Sequence, residues 1–380
     1  MKEFILEKRK CECCSGEDLE LVFSDKTSVN THKKTYLIES FVVVCRSCGF
    51  SFNSPCPSQK DLIDFYADYL SEYGNMPLFY SIETRLETLK KYAGGNFVEV
   101  GGNQASEFRD SLSKYFTPIK NVEPNCECAS DFLTIDKLPK NSVDVLAHYD
   151  VLEHIPNVRE FLSVCNSVIK DNGIMVMEAP DIKLYPKNLM LLSASEHFNH
   201  FSVNTLENIA SQCDFKLVEV SHAASRPFSF MAVFKKGRSY KNNSEYLDNL
   251  ACLQGGIRQI DRFKNQMKDL RNRITNDKKI TLWCVTDFLY RLIDGFQLPD
   301  NTIVVDSDIR KRDHLKYRGM PVFLPTDCLE HIKNSKLLVI LSPRNKSNIL
   351  KWIKDAIGRD FSDNNLEVIG TGAYGEPLQV

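Results

Sequence analysis

The sequence predicts an α/β protein with a mostly parallel central sheet, a cysteine-rich ribbon in front of it and a second small α/β lobe behind it. From Phe97 onward, short apolar runs alternate with helical stretches at intervals of roughly 20–30 residues, which is typical of a parallel sheet with helices on both faces. Two spaced pairs of cysteines precede this region, and strands and helices alternate again in the last hundred residues. These observations set the predicted architecture.

The composition is that of a globular protein with ample core. The chain has 380 residues, of which 43% are hydrophobic and 26% charged, enough for two or three domains. Its 48 Lys and Arg against 50 Asp and Glu give a net charge of −2, which offers no positive field for a nucleic acid. The first ten residues lack the apolar stretch of a signal peptide, and no run approaches the ~20 apolar residues of a membrane span. We expect a cytoplasmic protein that binds neither nucleic acid nor membrane.

Four of the thirteen cysteines form two C-x-x-C pairs: Cys11, Cys14, Cys45 and Cys48. Predicted strands at Leu19–Phe23 and Tyr36–Val44 lie between the pairs, an arrangement that suits a ribbon with one tetrahedral zinc ion. Four thiolate ligands leave no open position, so the metal would be structural. The alternative, four buried thiols, leaves the paired spacing unexplained, and on sequence alone Cys13 and Cys56 compete as ligands.

The pattern divides the chain into five parts. These are a zinc ribbon (1–57), a helical arm (58–92), a sheet domain (93–237), a linker helix (238–275) and a C-terminal lobe (276–380). Within the sheet domain, Phe215–Ser221 and Phe228–Phe234 are separated by a short turn and should pair as antiparallel neighbours at one edge. In the linker, apolar residues recur every three or four positions and predict one long amphipathic helix.

A glycine turn follows the first strand of the sheet domain. Glu99 lies inside this strand, and Gly101 and Gly102 end it. Ligands of doubly wound sheets bind at this edge, where glycine lets backbone amides approach closely. Without the full G-x-G-x-x-G pattern, however, such a turn fits many α/β proteins.

Two later features favour a nucleoside site at that edge. Glu123 ends the second strand about twenty residues beyond the glycines, where a carboxylate can accept both ribose hydroxyls. Asp131 and Phe132 follow it and could supply an acceptor for an adenine amino group and an apolar face for its ring.

Residues 97–235 resemble the class I S-adenosylmethionine-dependent methyltransferases. The segment V-L-E-H-I-P-N followed by V-I-K-D-N-G-I-M-V-M-E-A-P-D is similar to the fourth and fifth strand region of that superfamily. With the ribbon in front and the lobe behind, the chain resembles the zinc-containing sugar C-methyltransferases of deoxysugar biosynthesis. The resemblance implies a Rossmann-like seven-stranded sheet, S-adenosylmethionine as cofactor, a structural Zn²⁺, a nucleotide-linked keto-sugar as substrate and a degenerate Rossmann-like C-terminal lobe.

The resemblance also implies a set of cofactor contacts: Glu99, Gly101, Gly102, Asn103, Glu123, Pro124, Asp131, Phe132, His148 and Tyr149. The first four would surround the methionine portion, and the last two would line the floor near the sulfonium. The family commonly has G-S-N-D-G in the first loop, whereas this chain has G-G-N-Q-A at residues 101–105. An acidic contact and a glycine contact are therefore missing, which predicts weaker cofactor binding.

The segment S-E-H-F-N-H-F-S, residues 195–202, is similar to the E-H-F-x-x-F-S motif of the sugar C-methyltransferases. The likeness implies that His197 is the general base and that Glu196 lies close to the substrate. An unperturbed imidazole titrates near neutrality and can remove a proton from a carbon beside a ketone. The alternative is a structural role, because related motifs close a lid and pack a helix in methyltransferases that do no carbon chemistry.

Three further residues are candidates for contact with the acceptor. Tyr69 and Tyr73 resemble the family's active-site tyrosines, although an amphipathic helix packed on the sheet explains them as well. His154, in V-L-E-H-I-P-N, either faces the pocket or is satisfied by the backbone.

We therefore expect a methyltransferase that C-methylates a nucleotide-linked keto-sugar after base-assisted enolisation. O-methylation of a sugar or glycan precursor is one alternative, and a non-catalytic scaffold with a degenerate cofactor loop is another. The expected state is a monomer or weak dimer. In the C-terminal lobe, the turn after Trp283 has no glycine, which argues against a second dinucleotide site.

Overall fold

The computed structural model describes residues 2–30, 35–73, 81–102, 106–123, 131–132, 134–188, 192, 196–226, 228–238, 244–313, 315, 319–361 and 365–369. The chain forms two compact units. The first comprises residues 1–186 and 190–257, and the second comprises residues 187–189 and 258–380. Among the described residues, no helix combines the length and apolar character that a membrane span requires.

The N-terminal ribbon is built from six strands: β1 (Lys2–Glu3), β2 (Leu6–Glu7), β3 (Leu19–Asn30), β4 (Thr35–Cys45), β5 (Ser51–Asn53) and β6 (Cys56–Pro57). The strands β3 and β4 form a long antiparallel hairpin, β4 also pairs with β1 and β5, and β2 pairs with β6. Both hairpin strands extend beyond the runs that the sequence predicts. The two C-x-x-C turns lie at the base of this hairpin, since Leu19 pairs with Cys45.

Two helices form the arm that the sequence predicts as helical. They are α1 (Gln59–Tyr73) and α2 (Ile82–Lys90). The hydroxyl of Ser81 caps α2 by accepting a 3.2 Å hydrogen bond from the amide of Thr84. This cap satisfies one of the amide donors that a helix start leaves without an intrahelical acceptor.

The sheet domain alternates strands and helices as predicted. In chain order they are β7 (Phe97–Val100), α3 (Ser106–Leu112), β8 (Ile119–Val122), β9 (Val143–Tyr149), α4 (Val158–Val168), β10 (Ile169–Pro180), β11 (Asn199–His200), α5 (Val203–Gln212), β12 (Phe215–Ser221) and β13 (Ser229–Lys236). Ser202 and Thr205 form a capping box at the start of α5.

Six of these strands form the central sheet, in the order β12-β13-β10-β9-β7-β8. The strands β8, β7, β9 and β10 are parallel, while β13 is antiparallel to both β10 and β12, as predicted for this edge. The predicted seventh strand is not among the described residues. Phe132 makes an isolated parallel bridge to Val122, on the outer side of β8, where a further strand would pair.

The strand β11 leaves the sheet domain and pairs with the ribbon. Asn199 and His200 are antiparallel partners of Phe52 and Ser51 in β5. Apolar side chains reinforce this link, because Phe50 stacks on Phe201 with ring centroids 5.6 Å apart. The ribbon and the face of the sheet covered by α4 and α5 therefore share one hydrophobic core.

Gly49 joins the ribbon closely to residues further along the chain. Its φ is +83°, and a Cβ at this position would lie 2.5 Å from the backbone carbon of Glu245. The amide of Glu245 also donates a hydrogen bond to the carbonyl of Cys48. Only glycine allows the backbone to adopt this conformation at such a close approach.

The helix α6 (Tyr246–Arg273) begins in the first unit and ends in the second, within the predicted linker. The second unit then contains β14 (Ile280–Trp283), α7 (Asp287–Ile293), β15 (Thr302–Val305), β16 (Val322–Phe323), α8 (Leu329–Asn334), β17 (Leu337–Ile340), α9 (Lys346–Ile357) and β18 (Leu366–Val368). Its five strands are all parallel, in the order β16-β15-β14-β17-β18.

At the carboxyl edge of this second sheet, the side chain of Asp306 occupies the space beside the turn after β14. Its carboxylate accepts hydrogen bonds from the amides of Val285 (2.8 Å) and Asp308 (2.9 Å) and an ion pair from Lys311 (3.3 Å). The amide of Val285 therefore already has an acceptor within the protein.

Candidate functional site

The four cysteines of the two C-x-x-C pairs come together at the base of the ribbon hairpin. Their sulfur atoms all lie within 4.8 Å of one another, with 3.5 Å between Cys11 and Cys48 and 3.5 Å between Cys14 and Cys45. A tetrahedral zinc–thiolate site, with Zn–S bonds near 2.3 Å, has sulfurs about 3.8 Å apart. The arrangement therefore fits a Zn²⁺ ion with four thiolate ligands.

The competing cysteines have other surroundings. The thiol of Cys13 points towards the carbonyl of Thr205, and that of Cys56 towards the carbonyl of Pro57 beside the guanidinium of Arg9. Neither belongs to the four-sulfur group.

At the carboxyl edge of the central sheet, the turn after β7 brings the backbone close to neighbouring side chains. Gly101 has a φ of +71°, and a Cβ on Gly102 would lie 2.6 Å from the carboxyl carbon of Glu99. The turn is anchored on its neighbour β8, because Gly101 donates to the carbonyl of Val122 and Asn121 donates to the carbonyl of Gly102. The glycines thus bring backbone and the Glu99 carboxyl together without an intervening side chain.

Glu99 is a carboxyl on this edge with a raised pKa. Burial raises its pKa to about 7, although the positive charges of Arg85 and Arg109 act in the opposite direction. Removing a carboxylate from water disfavours its charged form. A cationic ligand group at this place would favour the ionised form.

The predicted nucleoside contacts lie further along the same edge. Glu123 is buried at the end of β8, and its amide donates to the carbonyl of Phe132. The Asp131 carboxylate accepts a 2.8 Å hydrogen bond from the amide of Asn121 and is 41% exposed. The ring of Phe132 packs partly on the core and has the ammonium of Lys120 at 5.3 Å. Asn103 and Pro124 lie outside the described residues.

The two residues expected on the floor near the sulfonium point in different directions. His148 is fully buried and packs edge-on against Phe161 of α4, and its ring nitrogens have no hydrogen-bond partner among the described residues. Burial lowers the pKa of His148 to about 3, which keeps it neutral. Tyr149 instead packs under the guanidinium of Arg85, whose central carbon lies 3.8 Å from the ring centroid.

A group of charged residues, of which Arg85 and Glu178 are buried, surrounds the end of β9. Asp150 pairs with Arg226 at 2.7 Å and with Arg85 at 3.8 Å, and Arg85 lies 3.5 Å from Glu178. Glu178 also accepts hydrogen bonds from Ser225 and from the amide of Arg226. This network links α2, β9, β10 and the turn before β13, and thereby fixes the loop that follows β9.

The loop after β9 connects the glycine turn to the first candidate histidine. A Cβ on Gly101 would lie 2.6 Å from a methyl group of Val151, so the two loops are in contact. Val151 is followed by a single 3₁₀ turn, Leu152–His154. The turn that carries His154 therefore directly follows Val151, the residue that contacts the glycine turn.

The structure brings His154 and His197 together. Their ring centroids are 5.0 Å apart, with the rings nearly perpendicular. The Nδ1–H of His154 donates a 2.9 Å hydrogen bond to the carbonyl of Glu196, which leaves Nε2 as the acceptor. Burial lowers the pKa of His154 to about 4, so the ring is neutral at pH 7.

Glu153 lies beside His154 and His197, which are called the histidine pair below. One of its carboxylate oxygens lies 4.0 Å from Nε2 of His154, and the other has no hydrogen-bond partner among the described residues. Burial, together with the neighbouring Asp150, raises the pKa of Glu153 well above its ordinary value. This direction favours the protonated form of Glu153 beside the two imidazoles.

Tyr66 of α1 closes one side of the group. Its hydroxyl donates a 3.3 Å hydrogen bond to the carbonyl of Glu196, and its ring lies 5.5 Å from that of His154. The backbones of Tyr69 and Tyr73 continue the same helix. Their side chains lie outside the described part of the structure, so the predicted tyrosine contacts stay predictions.

Arg9 of the ribbon holds the backbone on both sides of the histidine pair. Its guanidinium donates to the carbonyls of Pro156, Phe198 (3.2 Å) and Asn53 (3.3 Å) and to the side-chain oxygen of Asn199 (2.8 Å).

The side-chain amide of Asn199 extends this connection to the turn that carries His154. It donates to the carbonyls of Leu152 (3.0 Å) and Ile155 (2.7 Å). The segment with His197 is thus bonded to the ribbon on one side and to the loop after β9 on the other.

One comparison with known proteins matches the central part of the chain. Residues 75–220 match the sequence model of the family described as "Methyltransferase domain". This part of the chain is a methyltransferase domain. A search of the curated proteins finds no match.

Two solved structures that resemble this chain are distant from it in sequence. One is a putative type 11 methyltransferase from Sulfolobus solfataricus, with 14% identity over 44% of this chain and 99% of that chain, at a TM-score of 0.35. Another is the 1,6-didemethyltoxoflavin-N1-methyltransferase of Burkholderia thailandensis, with 9% identity over 50% of this chain and 96% of that one, at 0.38.

Several residues around the candidate site were not identified from the sequence. Asp150 and Glu178 are acids at the ends of apolar strands, a signal that could have marked them as charges that need a partner. Glu153 stands beside His154 in the quoted motif and could have been included with it. Arg9 and Asn199 carry no local signal, because their partners are distant in sequence.

Proposed function

We propose that this protein transfers the methyl group of S-adenosylmethionine to a carbon atom of a nucleotide-linked keto-sugar. The observation that carries the proposal is the meeting of His154, His197 and Glu153, on a loop whose Val151 contacts the glycine turn of the methyltransferase domain. The likeness of residues 195–202 to the sugar C-methyltransferase motif supports the choice of substrate.

The residues at the edge of the central sheet suit the donor. The carboxyl of Glu99, with its pKa near 7, would take its ionised form beside the ammonium of the methionine portion. Gly101 and Gly102 would admit that portion to the backbone, and buried Glu123 would accept the ribose hydroxyls. When bound, S-adenosylmethionine supplies a methyl group already activated by a positively charged sulfur.

The histidine pair suits the acceptor. The imidazole of His197 would remove the proton from the carbon beside the ketone, and the electron pair of that C–H bond would form the enolate. Nε2 of His154, an acceptor, would orient a hydroxyl group of the sugar, and the raised pKa of Glu153 favours a protonated carboxyl that would donate to the oxygen on which the charge develops. The protein's main contribution is to hold the acceptor carbon in line with the methyl group, as close as ~3–3.5 Å.

The four-cysteine group of the ribbon would hold one Zn²⁺. Four thiolates fill a tetrahedral ion, so this zinc has no position for a substrate and its role is structural. Its chemistry fits the sulfur distances and the ribbon fold described above.

The test combines binding and proton exchange. Calorimetry with S-adenosylhomocysteine should give a binding isotherm, since the proposed cofactor contacts all belong to the methyltransferase domain. Incubation with keto-sugar nucleotides in deuterated buffer should introduce deuterium at the carbon beside the ketone. In the variant His197→Ala, the rate of this exchange should fall by a factor of about 10²–10⁴, while S-adenosylhomocysteine should still bind.

His222→Ala is the matched control, because His222 is an exposed histidine of the same domain and should leave exchange unchanged. Methyl transfer without exchange would indicate O-methylation. A flat calorimetric trace with folded protein would indicate a scaffold without cofactor, and loss of both activities in His197→Ala would indicate a structural role for that histidine.

A further inference from the structure

We propose that Arg9, a residue of the zinc ribbon, is the positioning residue of the active site, because its guanidinium fixes the two segments that carry His154 and His197. The proposal rests on the proposed function, since it assigns a role to the histidine pair. It extends that function by making the ribbon a component of the catalytic machinery rather than an appended module.

The first step of the argument is where the four acceptors of Arg9 lie. Pro156 is two residues after His154, and Phe198 directly follows His197. The guanidinium bonds the backbone carbonyls of both residues, so a single planar group joins the two histidine segments. The other two acceptors, Asn53 and Asn199, are at the end of β5 and in β11.

The second step is that Arg9 itself is fixed. Its amide donates to the hydroxyl of Ser54 (3.0 Å), and its carbonyl accepts from the same hydroxyl (3.1 Å). Its guanidinium also lies over the ring of Phe52, 5.1 Å from the centroid. A side chain anchored in this way transmits the position of the ribbon strand to the histidines.

The third step concerns the backbone hydrogen bonds that join these segments, because they depend on the position that Arg9 gives to Phe198. The amide of Phe198 donates to the carbonyl of Glu153 at 2.7 Å, and the amide of Asn53 donates to the carbonyl of Phe198 at 2.9 Å. The ring of His154 is in turn oriented by the carbonyl of Glu196. Without Arg9, three buried carbonyls lose a charged donor, and the segments can separate.

A guanidinium is the group that this place requires. Arg9 uses two separate nitrogens, each with two acceptors, in one plane. The ammonium of lysine offers its donors from a single nitrogen and cannot reproduce this fork. We therefore expect Arg9→Lys to retain the fold but to position the histidines less well than the wild type.

The experiment compares Arg9→Ala and Arg9→Lys with Arg46→Ala, a matched control in which an exposed arginine of the ribbon loses its ion pair with Glu20. The first readout is the NMR signals of the Cε1–H groups of His154 and His197 in the S-adenosylhomocysteine complex of the full chain. Both signals should shift in the Arg9 variants and stay unchanged in Arg46→Ala. The affinity for S-adenosylhomocysteine should remain that of the wild type in all three.

The second readout is the deuterium exchange of a keto-sugar nucleotide. Arg9→Ala should lower the turnover number by about 10²-fold, the effect expected of a misplaced catalytic group, with little change in KM. Addition of guanidinium ion at concentrations below those that denature should restore part of the rate in Arg9→Ala and none in His197→Ala. A structural role alone would lower the melting temperature without such rescue.

Unchanged histidine signals and unchanged turnover in Arg9→Ala would overturn the inference, as would equal losses in Arg46→Ala. If Arg9→Ala does not fold, Asn199→Ala serves instead, since it removes an acceptor of Arg9 and the bonds to Leu152 and Ile155. Absence of S-adenosylhomocysteine binding in the wild type would count against the proposed function. Normal binding with undisturbed histidines would count against the role of Arg9 alone.

Discussion

The cofactor edge of the methyltransferase domain comes from one stretch of chain, residues 97–132, whereas the histidine pair is assembled from separate stretches. Glu99, Gly101, Gly102 and Glu123 are all placed by two adjacent parallel strands. His154 follows β9, His197 precedes a strand of the ribbon sheet, and Arg9 bonds the backbone beside both. One half of the site is thus intrinsic to the central sheet, and the other half depends on the ribbon.

Removal of zinc should have the largest effect of the changes considered, because it should abolish proton exchange at the histidine pair and leave binding at the cofactor edge intact. Structural zinc sites contribute about 10–16 kcal/mol to the folding of small metal domains, so chelation or Cys45→Ser should unfold the ribbon around β5. The strand β11 would lose its partner, and deuterium exchange should fall to the level of His197→Ala. Binding of S-adenosylhomocysteine, followed by calorimetry, should persist.

Elemental analysis supplies the control for this prediction, since one zinc ion per chain is expected in the wild type and none in Cys45→Ser. Cys328→Ser, which alters a cysteine of the C-terminal lobe, should leave both the metal and the exchange unchanged. Full exchange in metal-free protein would contradict the dependence of the histidine pair on the ribbon.

The variant Glu99→Gln should affect the cofactor edge and leave the histidine pair in place. The folded-state pKa of Glu99 is raised from 4.5 to about 7, so below pH 4.5 the group is protonated in both states and has no effect on stability. As the pH rises from 4.5 to about 7, wild-type stability should fall by about 3 kcal/mol, because the unfolded chain releases this proton first. Chemical denaturation across this pH range measures the loss, and Glu99→Gln should lack it.

Ligand affinity should show the opposite pH dependence. The affinity of the wild type for S-adenosylhomocysteine should increase as the pH rises through about 7, because ionised Glu99 attracts the ligand's ammonium group. The affinity of Glu99→Gln should be lower at pH 8, by about tenfold, and nearly constant with pH. Parallel pH profiles for the two proteins would show that Glu99 does not face the ligand.

The smallest effect is expected at Tyr66. The variant Tyr66→Phe removes one hydrogen bond to the carbonyl of Glu196, worth about 1 kcal/mol. Deuterium exchange should slow by about fivefold, with no change in zinc content or in binding of S-adenosylhomocysteine. The variant Tyr92→Phe, at the end of the same arm, is the control, and an equal decrease there would argue against a local effect.

The parts of the molecule with local signals could be predicted from sequence. The spacing of Cys11, Cys14, Cys45 and Cys48 indicated one four-sulfur group, and the alternation of strands and helices indicated the central sheet and the antiparallel pair at its edge. Each of these depends on periodicity or on short loops, which act within a few residues.

The remaining features depend on contacts between distant segments. Nothing near residue 9 indicates that its guanidinium bonds carbonyls at positions 156 and 198, and nothing in the S-E-H-F-N-H-F-S motif indicates a strand paired with Phe52. The burial of His148 against Phe161 was likewise not expected, because a strand pattern does not tell which face a helix covers.

The close packing of Gly49 against the backbone of Glu245 has a consequence for protein engineering. Exchange of ribbons between related enzymes requires a crossover that carries both the second C-x-x-C turn and the first turn of α6, since any larger residue at position 49 would push them apart. A chimera joined only after residue 57 would combine a second C-x-x-C turn and a start of α6 that do not fit each other. The resulting displacement would affect the histidine pair, which is distant from the junction along the sequence.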